Sequence, residues 1–165
     1  MVEGLLEESM SLPDGRSVPL RLIAPGDLVG TEALTAGEYA STVTALTEAR
    51  VCVVGRTTVE ARLALHPEQG VALRRGLEAS IQALRERLLQ HQTMQADARV
   101  MEVLRILGRS FAPGAWFRPV LSRKGIAEHL GLAPETVSRV MKRLEASGEI
   151  ELRGRSVRLG RTARS

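Results

Sequence analysis

The sequence predicts an α+β chain assembled in series: antiparallel strands, one long helix, and a helix-turn-helix closed by a two-stranded hairpin. Three observations carry that prediction. Residues 2–55 are rich in Val, Thr and short apolar runs punctuated by Pro, Gly and Asp turn formers. From about Pro67 to about Gln92 the apolar residues keep a helical seam spacing. Between Ser122 and Leu144, polar and apolar positions separate onto opposite faces of two short helical stretches.

Strands are expected at roughly 3–10, 17–23, 39–47 and 49–55, turned by Pro13-Asp14-Gly15-Arg16, Pro25-Gly26-Asp27 and Ala36-Gly37-Glu38. The last strand holds the single cysteine, Cys52, in the run Val51-Cys52-Val53-Val54, where a buried and inert side chain is expected. One cysteine excludes an intrachain disulfide and any cluster drawing four thiolates from one chain. Thr57 to His66 reads as a short helix stopped by Pro67, which drives the residue before it out of the α region.

In the long helix, Leu77, Ile81, Leu84, Leu88 and His91 step by 4, 3, 4 and 3, the spacing of a coiled-coil seam. Such a seam pairs with a second copy or packs on its own β region. Ala96 to Phe111 forms another amphipathic helix on Val100, Val103, Leu104 and Leu107, and Pro113-Gly114 breaks the chain before a strand at Trp116–Leu121.

Ser122 is placed to cap the next helix, with Arg123 and Lys124 in a first turn whose N–H groups also suit a phosphate. Ile126, Ala127 and Leu130 face inward, Gly131 makes the turn, and Pro134 opens the second helix where its missing N–H costs nothing. That helix sets Glu135, Ser138, Arg139 and Lys142 on one stripe, with Val137, Val140, Met141 and Leu144 opposite. A free polar stripe on a packed helix is the layout of a DNA reader. A carboxylate accepts from cytosine N4 and a guanidinium bonds guanine O6 and N7, so Glu135, Arg139 and Ser138 are the candidate base readers. An intrahelical Glu135–Arg139 ion pair is the alternative use of that spacing, and the two uses are compatible. Thr136 and Lys142 are candidate phosphate contacts. Strands at Ile150–Leu152 and Val157–Leu159 flank the basic turn Arg153-Gly154-Arg155, which makes the motif a winged helix; Arg153 and Arg155 reach phosphates or simply face solvent. Gly160 to Ser165 reads as a frayed tail.

Charge follows the same division. Residues 1–98 carry 9 Lys and Arg against 13 Asp and Glu, and residues 99–165 carry 14 against 6, so the net charge of +4 conceals −4 and +8. A basic half gains affinity for a polyanion by counterion release, although heavy arginine usage alone gives the same sign. No apolar stretch is long enough to span a membrane and no signal-peptide pattern opens the chain, so a cytoplasmic protein is expected. His66, His91 and His129 are scattered, and no nucleophilic set, glycine-rich phosphate loop or metal-ligand spacing is present, so an enzyme is not expected.

With these residues in place, the chain resembles the Crp/Fnr family of bacterial transcription regulators. Pro25-Gly26-Asp27, followed by Gly30 and Ala33-Leu34, is similar to that family's turn before its effector pocket. Glu135-Thr136-Val137-Ser138-Arg139 is similar to its recognition helix. Leu12-Pro13-Asp14-Gly15-Arg16 with Thr31-Glu32-Ala33-Leu34 looks most like the Thermus and Deinococcus branch. The resemblance implies a partial antiparallel β-roll of cyclic-nucleotide-binding type, a double-stranded β-helix, over 1–66. It further implies a dimerisation helix over 67–95 and a winged helix-turn-helix over 96–165, with RNA polymerase as a partner.

Three departures qualify it. The effector pocket falls on Gly30, Thr31, Glu32, Tyr39 and Ala40, where cyclic-AMP-binding members carry a Glu and an Arg-Ser pair. Without that arginine a buried phosphate lacks a countercharge, so cyclic AMP is not expected as effector. Glu32 stands as a shifted ribose ligand or as a solvent-facing or helix-capping carboxylate. Pro134 replaces a base-reading arginine, and Ala133 replaces a Ser cap, so one base of the operator and the start of the helix should differ. The roll's opening helix and first strands, which in the family precede the strand that begins here near Val2, are missing; a start placed too far downstream is expected, because a roll lacking them exposes strand edges, and a shortened regulator is the alternative. The function expected is a homodimeric, sequence-specific transcription regulator, mostly an activator, on a near-palindromic duplex. The alternative is an effector-sensing or protein-interaction module in which DNA binding is secondary.

Overall fold

In the computed structural model, which describes residues 1–35 and 37–160, the first two strands pair through the turn at Pro13-Asp14-Gly15. Gly15 takes a φ of +82° there and donates its N–H to the Leu12 carbonyl at 2.9 Å. Strands β1 (Leu6–Ser11), β2 (Ser17–Ile23) and β3 (Thr42–Ala45) form an antiparallel sheet in the order β2-β1-β3. The register shifts between Glu8 and Ser9, beside Pro19 of the edge strand β2, where a residue without an N–H is tolerated. Leu6 and Ile23, directly paired, are the buried apolar side chains among the described residues of this unit.

Two expectations fail here. The run 49–55 is not a strand: Arg50 makes a single bridge to Glu3, and no ladder follows it. A β-branched run becomes a strand only beside a partner edge, so Cys52 is exposed rather than buried and Val53 is 85% exposed. The expected 39–47 strand shrinks to β3, and a 3-10 turn at Thr31–Leu34, not anticipated, follows Gly30 in the left-handed region.

Helix α1 (Arg56–Leu65) ends at His66 before Pro67, and α2 (Gln69–Thr93) is one continuous 25-residue helix. The chain divides into two compact units, Met1–Leu89 and Gln90–Ser165. In the second, α3 (Ala96–Gly108) stops short of the expected Phe111, whose ring instead stacks on Phe117 at 5.3 Å between centroids. Helices α4 (Arg123–Leu130) and α5 (Pro134–Ala146) pack on α3, and β4 (Ile150–Arg153) with β5 (Ser156–Leu159) makes the hairpin. Val100, Leu104, Val137, Val140 and Ile150, all fully buried, form the centre of this core. The expected strand at 116–121 contributes only Phe117, which exchanges bonds of 2.9 and 2.8 Å with Val157. The next bonded position is Pro119, which has no N–H to continue the ladder. The tail beyond Gly160 and the Ala36 turn position lie outside the described residues.

Candidate nucleic-acid interface

Helix α4 begins as its cap requires: the Ser122 hydroxyl accepts from the Gly125 N–H at 3.1 Å, with Ser122 in extended backbone. It ends on Gly131 at φ +62°, while the Leu132 N–H returns to the Ala127 carbonyl at 2.9 Å. That back-bond needs a left-handed residue, which glycine supplies without steric cost. Arg123 is exposed, and Lys124 lies 3.7 Å from Glu128 on the same helix. His129, expected at the surface or in packing, is buried at 5% exposure.

Pro134 opens α5, whose Val137, Val140, Met141 and Leu144 are buried. Glu135, Arg139 and Lys142 are exposed on the other face, and Ser138 and Thr136 are half-buried beside them. Among the described residues Glu135 and Arg139 form no ion pair with each other, so both heads are available to a ligand. Two contacts that no local pattern announces hold this helix pair in place. Arg143 of α5 forks onto Asp97 of α3, its Nε 2.8 Å from one carboxylate oxygen and its other arm on the second. Arg99 of α3 donates to the Leu130 carbonyl at the end of α4. Its bonds to Arg143, outweighing burial, hold the Asp97 carboxyl below its ordinary value, and Arg143 is raised in turn.

In the hairpin, Gly154 at φ +61° turns the chain between exposed Arg153 and Arg155. Arg158 is not free in the same way: it bonds Glu151 across the strands at 3.0 Å and lies 4.9 Å over the Trp116 ring.

The amino-terminal candidates also come together. Glu32 accepts from the Ala40 N–H at 3.4 Å, and the Tyr39 ring lies 2.8 Å from where a Cβ on Gly30 would stand. Thr31 opens the 3-10 turn between them, and Tyr39 is 72% exposed. Five residues with one carboxylate and no cation do not fit a cyclic phosphate. Arg21 of β2 is engaged elsewhere, by Glu8 at 2.6 Å and the Leu28 carbonyl at 2.9 Å. Burial raises the Glu8 carboxyl, but bonds from Ser41 and Arg21 outweigh it and leave the group lowered. On α2 the seam faces solvent in the single chain: Leu77 is half-buried, and Ile81, Leu84 and Leu88 are 50%, 49% and 62% exposed. The side chain of His91 lies outside the described residues. No helix among the described residues is long and apolar enough to cross a membrane.

An exposed polar stripe on a packed second helix, with a basic hairpin behind it, defines a winged helix-turn-helix protein. Residues 98–163 match the Crp-like helix-turn-helix domain, and residues 1–66 match the cyclic nucleotide-binding domain. Over both stretches the chain is similar to the Crp/Fnr family. It is 31% identical to the transcriptional activator protein FnrA of Stutzerimonas stutzeri over 139 residues, 82% of this chain and 57% of that one. To the fumarate and nitrate reduction regulatory protein of Escherichia coli K12 it is 28% identical over 136 residues, covering 80% and 54%. The chain thus spans about half the length of the curated relatives it matches, and these relatives are regulators rather than enzymes. Among solved structures it superposes on FixK2 of Bradyrhizobium japonicum with a TM-score of 0.76 at 25% identity, covering 96% of this chain and 79% of that one. A CRP-family regulator of Thermus thermophilus, TTHB099, gives 0.69 at 28%, covering 96% and 80%.

Proposed function

We propose that this chain is a sequence-specific DNA-binding transcription regulator that works in the cytoplasm as a homodimer on a near-palindromic operator, chiefly as an activator contacting RNA polymerase. One observation carries the reading: Glu135, Ser138, Arg139 and Lys142 share the solvent-facing side of α5, whose other side is packed. Glu135, Ser138 and Arg139 read bases, while Ser122, Arg123, Lys124, Thr136, Lys142, Arg153 and Arg155 hold phosphates. The exposed seam of α2 supports the dimer, because an apolar stripe at that spacing is covered by a second copy of itself. Functionally the chain divides into an effector-domain portion at 1–66, a dimer helix at 67–95 and the DNA-binding portion at 96–165. Its turn sequences, Leu12-Pro13-Asp14-Gly15-Arg16 and Thr31-Glu32-Ala33-Leu34, favour kinship with the Thermus and Deinococcus branch.

Selection of bound sequences from a random duplex pool tests the reading. The expected product is a palindrome with half-site centres about 34 Å apart; no enrichment sinks it. On the selected duplex, Arg139→Ala should lower affinity by about 1–3 kcal/mol while sparing scrambled DNA. Equal losses on both would remove Arg139 from base reading. Cyclic AMP is not the effector in this proposal, and micromolar binding of it in isothermal titration would overturn that clause.

A further inference from the structure

The arginines of the carboxyl-terminal unit fall into two sets. Arg99, Arg105, Arg143 and Arg158 are engaged within the fold, by Leu130, Glu102, Asp97 and Glu151 respectively. Arg109, Arg118, Arg123, Arg139, Arg153 and Arg155 are exposed and have no ion pair, acceptor or ring partner among the described residues, and of these Arg118, Arg123 and Arg155 stand together. A single exposed arginine is ordinary. These three, however, line one cavity of about 530 Å³ between the start of α4 and the hairpin, and no carboxylate lines it with them.

Each of the three is held by a different backbone constraint. Arg118 follows Phe117, which is pinned to Val157 by a pair of main-chain bonds. Arg123 stands in the first turn of α4, whose cap is Ser122, also a lining residue. Arg155 follows Gly154, whose positive φ sets the turn. Three like charges fixed around one recess repel one another until an anion enters, and the N-terminal end of α4 adds its own positive pole. The floor is apolar, formed by Ile126, Met141, Leu152 and Val157, so the recess offers charge at its rim and packing beneath. Met141 belongs to α5, on the packed face opposite its polar stripe, so the floor of the recess rests on that helix from behind.

We propose that Arg118, Arg123 and Arg155 form a single phosphate rim that grips one strand of duplex DNA beyond the bases α5 reads, with Arg118 as a backbone contact in its own right. The proposal rests on the DNA-binding reading above. A guanidinium presents paired donors to phosphate oxygens, and three around one recess suit a phosphodiester chain.

The test uses the full chain, the duplex enriched from a random pool, and that duplex trimmed to its two half-sites, with affinity read by fluorescence anisotropy across a salt series. Arg118→Gln should reduce the slope of log K against log salt by about 1 on the longer duplex, and weaken selected and scrambled sequences by the same factor. Arg118→Lys should keep the wild-type slope. So should Arg109→Gln, which removes an exposed arginine that does not line the recess. On the trimmed duplex, wild type and Arg118→Gln should coincide. A wild-type slope for Arg118→Gln, or an equal loss on the trimmed duplex, overturns the rim while leaving the DNA reader standing. A wild-type chain that binds no duplex overturns both.

Discussion

Ala133→Ser should stabilise the helix-turn-helix unit, and its magnitude follows from the two helix starts of the motif. Ala133 already has cap geometry, at φ −70° and ψ 142°, and its carbonyl accepts from Thr136 at 2.9 Å and Val137 at 3.2 Å. What it lacks is a side-chain acceptor for the first-turn N–H groups. Ser122, at φ −68° and ψ 168°, makes that bond for α4. Pro134 has no N–H, so a hydroxyl at 133 would serve Glu135 or Thr136, and the extended backbone before a proline needs no adjustment. The site is exposed, which puts the gain in the lower part of the usual range, about 0.5–1 kcal/mol. For a unit of this size that raises Tm by about 2–8 °C. Trp116, the sole tryptophan, lies in this unit, so its fluorescence on a thermal ramp reports the transition. Ser122→Ala is the mirror experiment and should lower the same transition by a similar amount. If Ser122→Ala falls while Ala133→Ser stays level or falls, the missing acceptor does not limit the start of α5.

Leu104→Ala removes a fully buried side chain from α3 and should cost about 2–5 kcal/mol by denaturant titration of Trp116 fluorescence; a loss below about 1 kcal/mol would mean the core collapses onto the gap. Asp97 gives a pH prediction. Its carboxyl is lowered from 3.8 by Arg143, so the folded unit binds fewer protons in acid than the unfolded chain. The pair's contribution is complete above the ordinary value and disappears as pH falls through the lowered one. Asp97→Asn should therefore flatten the acid limb of the stability curve, and an unchanged limb would assign it to other carboxylates. Leu84→Glu on the exposed seam should turn a sedimenting dimer into a monomer without moving the Trp116 transition.

The α4–α5 pair was legible in the sequence because every feature that makes it is local: a hydroxyl three residues before its donor, a glycine at a left-handed position, a proline at N1, and a stripe repeating at helical spacing. The same reading failed at 49–55, where Val51-Cys52-Val53-Val54 has the composition of a strand but bonds along no neighbouring edge. Strand identity is a property of the pair, and a one-dimensional pattern states only half of it. Trp116–Leu121 shows the converse: a partner is present, yet Pro119 ends the ladder after one rung. The contacts that orient the site were invisible for a third reason. Asp97 and Arg143 are 46 residues apart, and nothing near either residue names the other.

That distance also explains how an arginine-rich domain keeps a usable face. Arg143 and Arg139 lie one turn apart on α5 and carry the same head group, yet Arg143 is folded back onto Asp97 and Arg139 is left open. Arg158 and Arg155 repeat the division on the hairpin, with Glu151 and the Trp116 ring engaging the first. Each engaged arginine fixes the element that presents a free one, so charge count alone is a poor guide to affinity. On the proposed DNA-binding reading, replacing a free arginine should remove a ligand contact, whereas replacing an engaged one should loosen the frame that aims its neighbour.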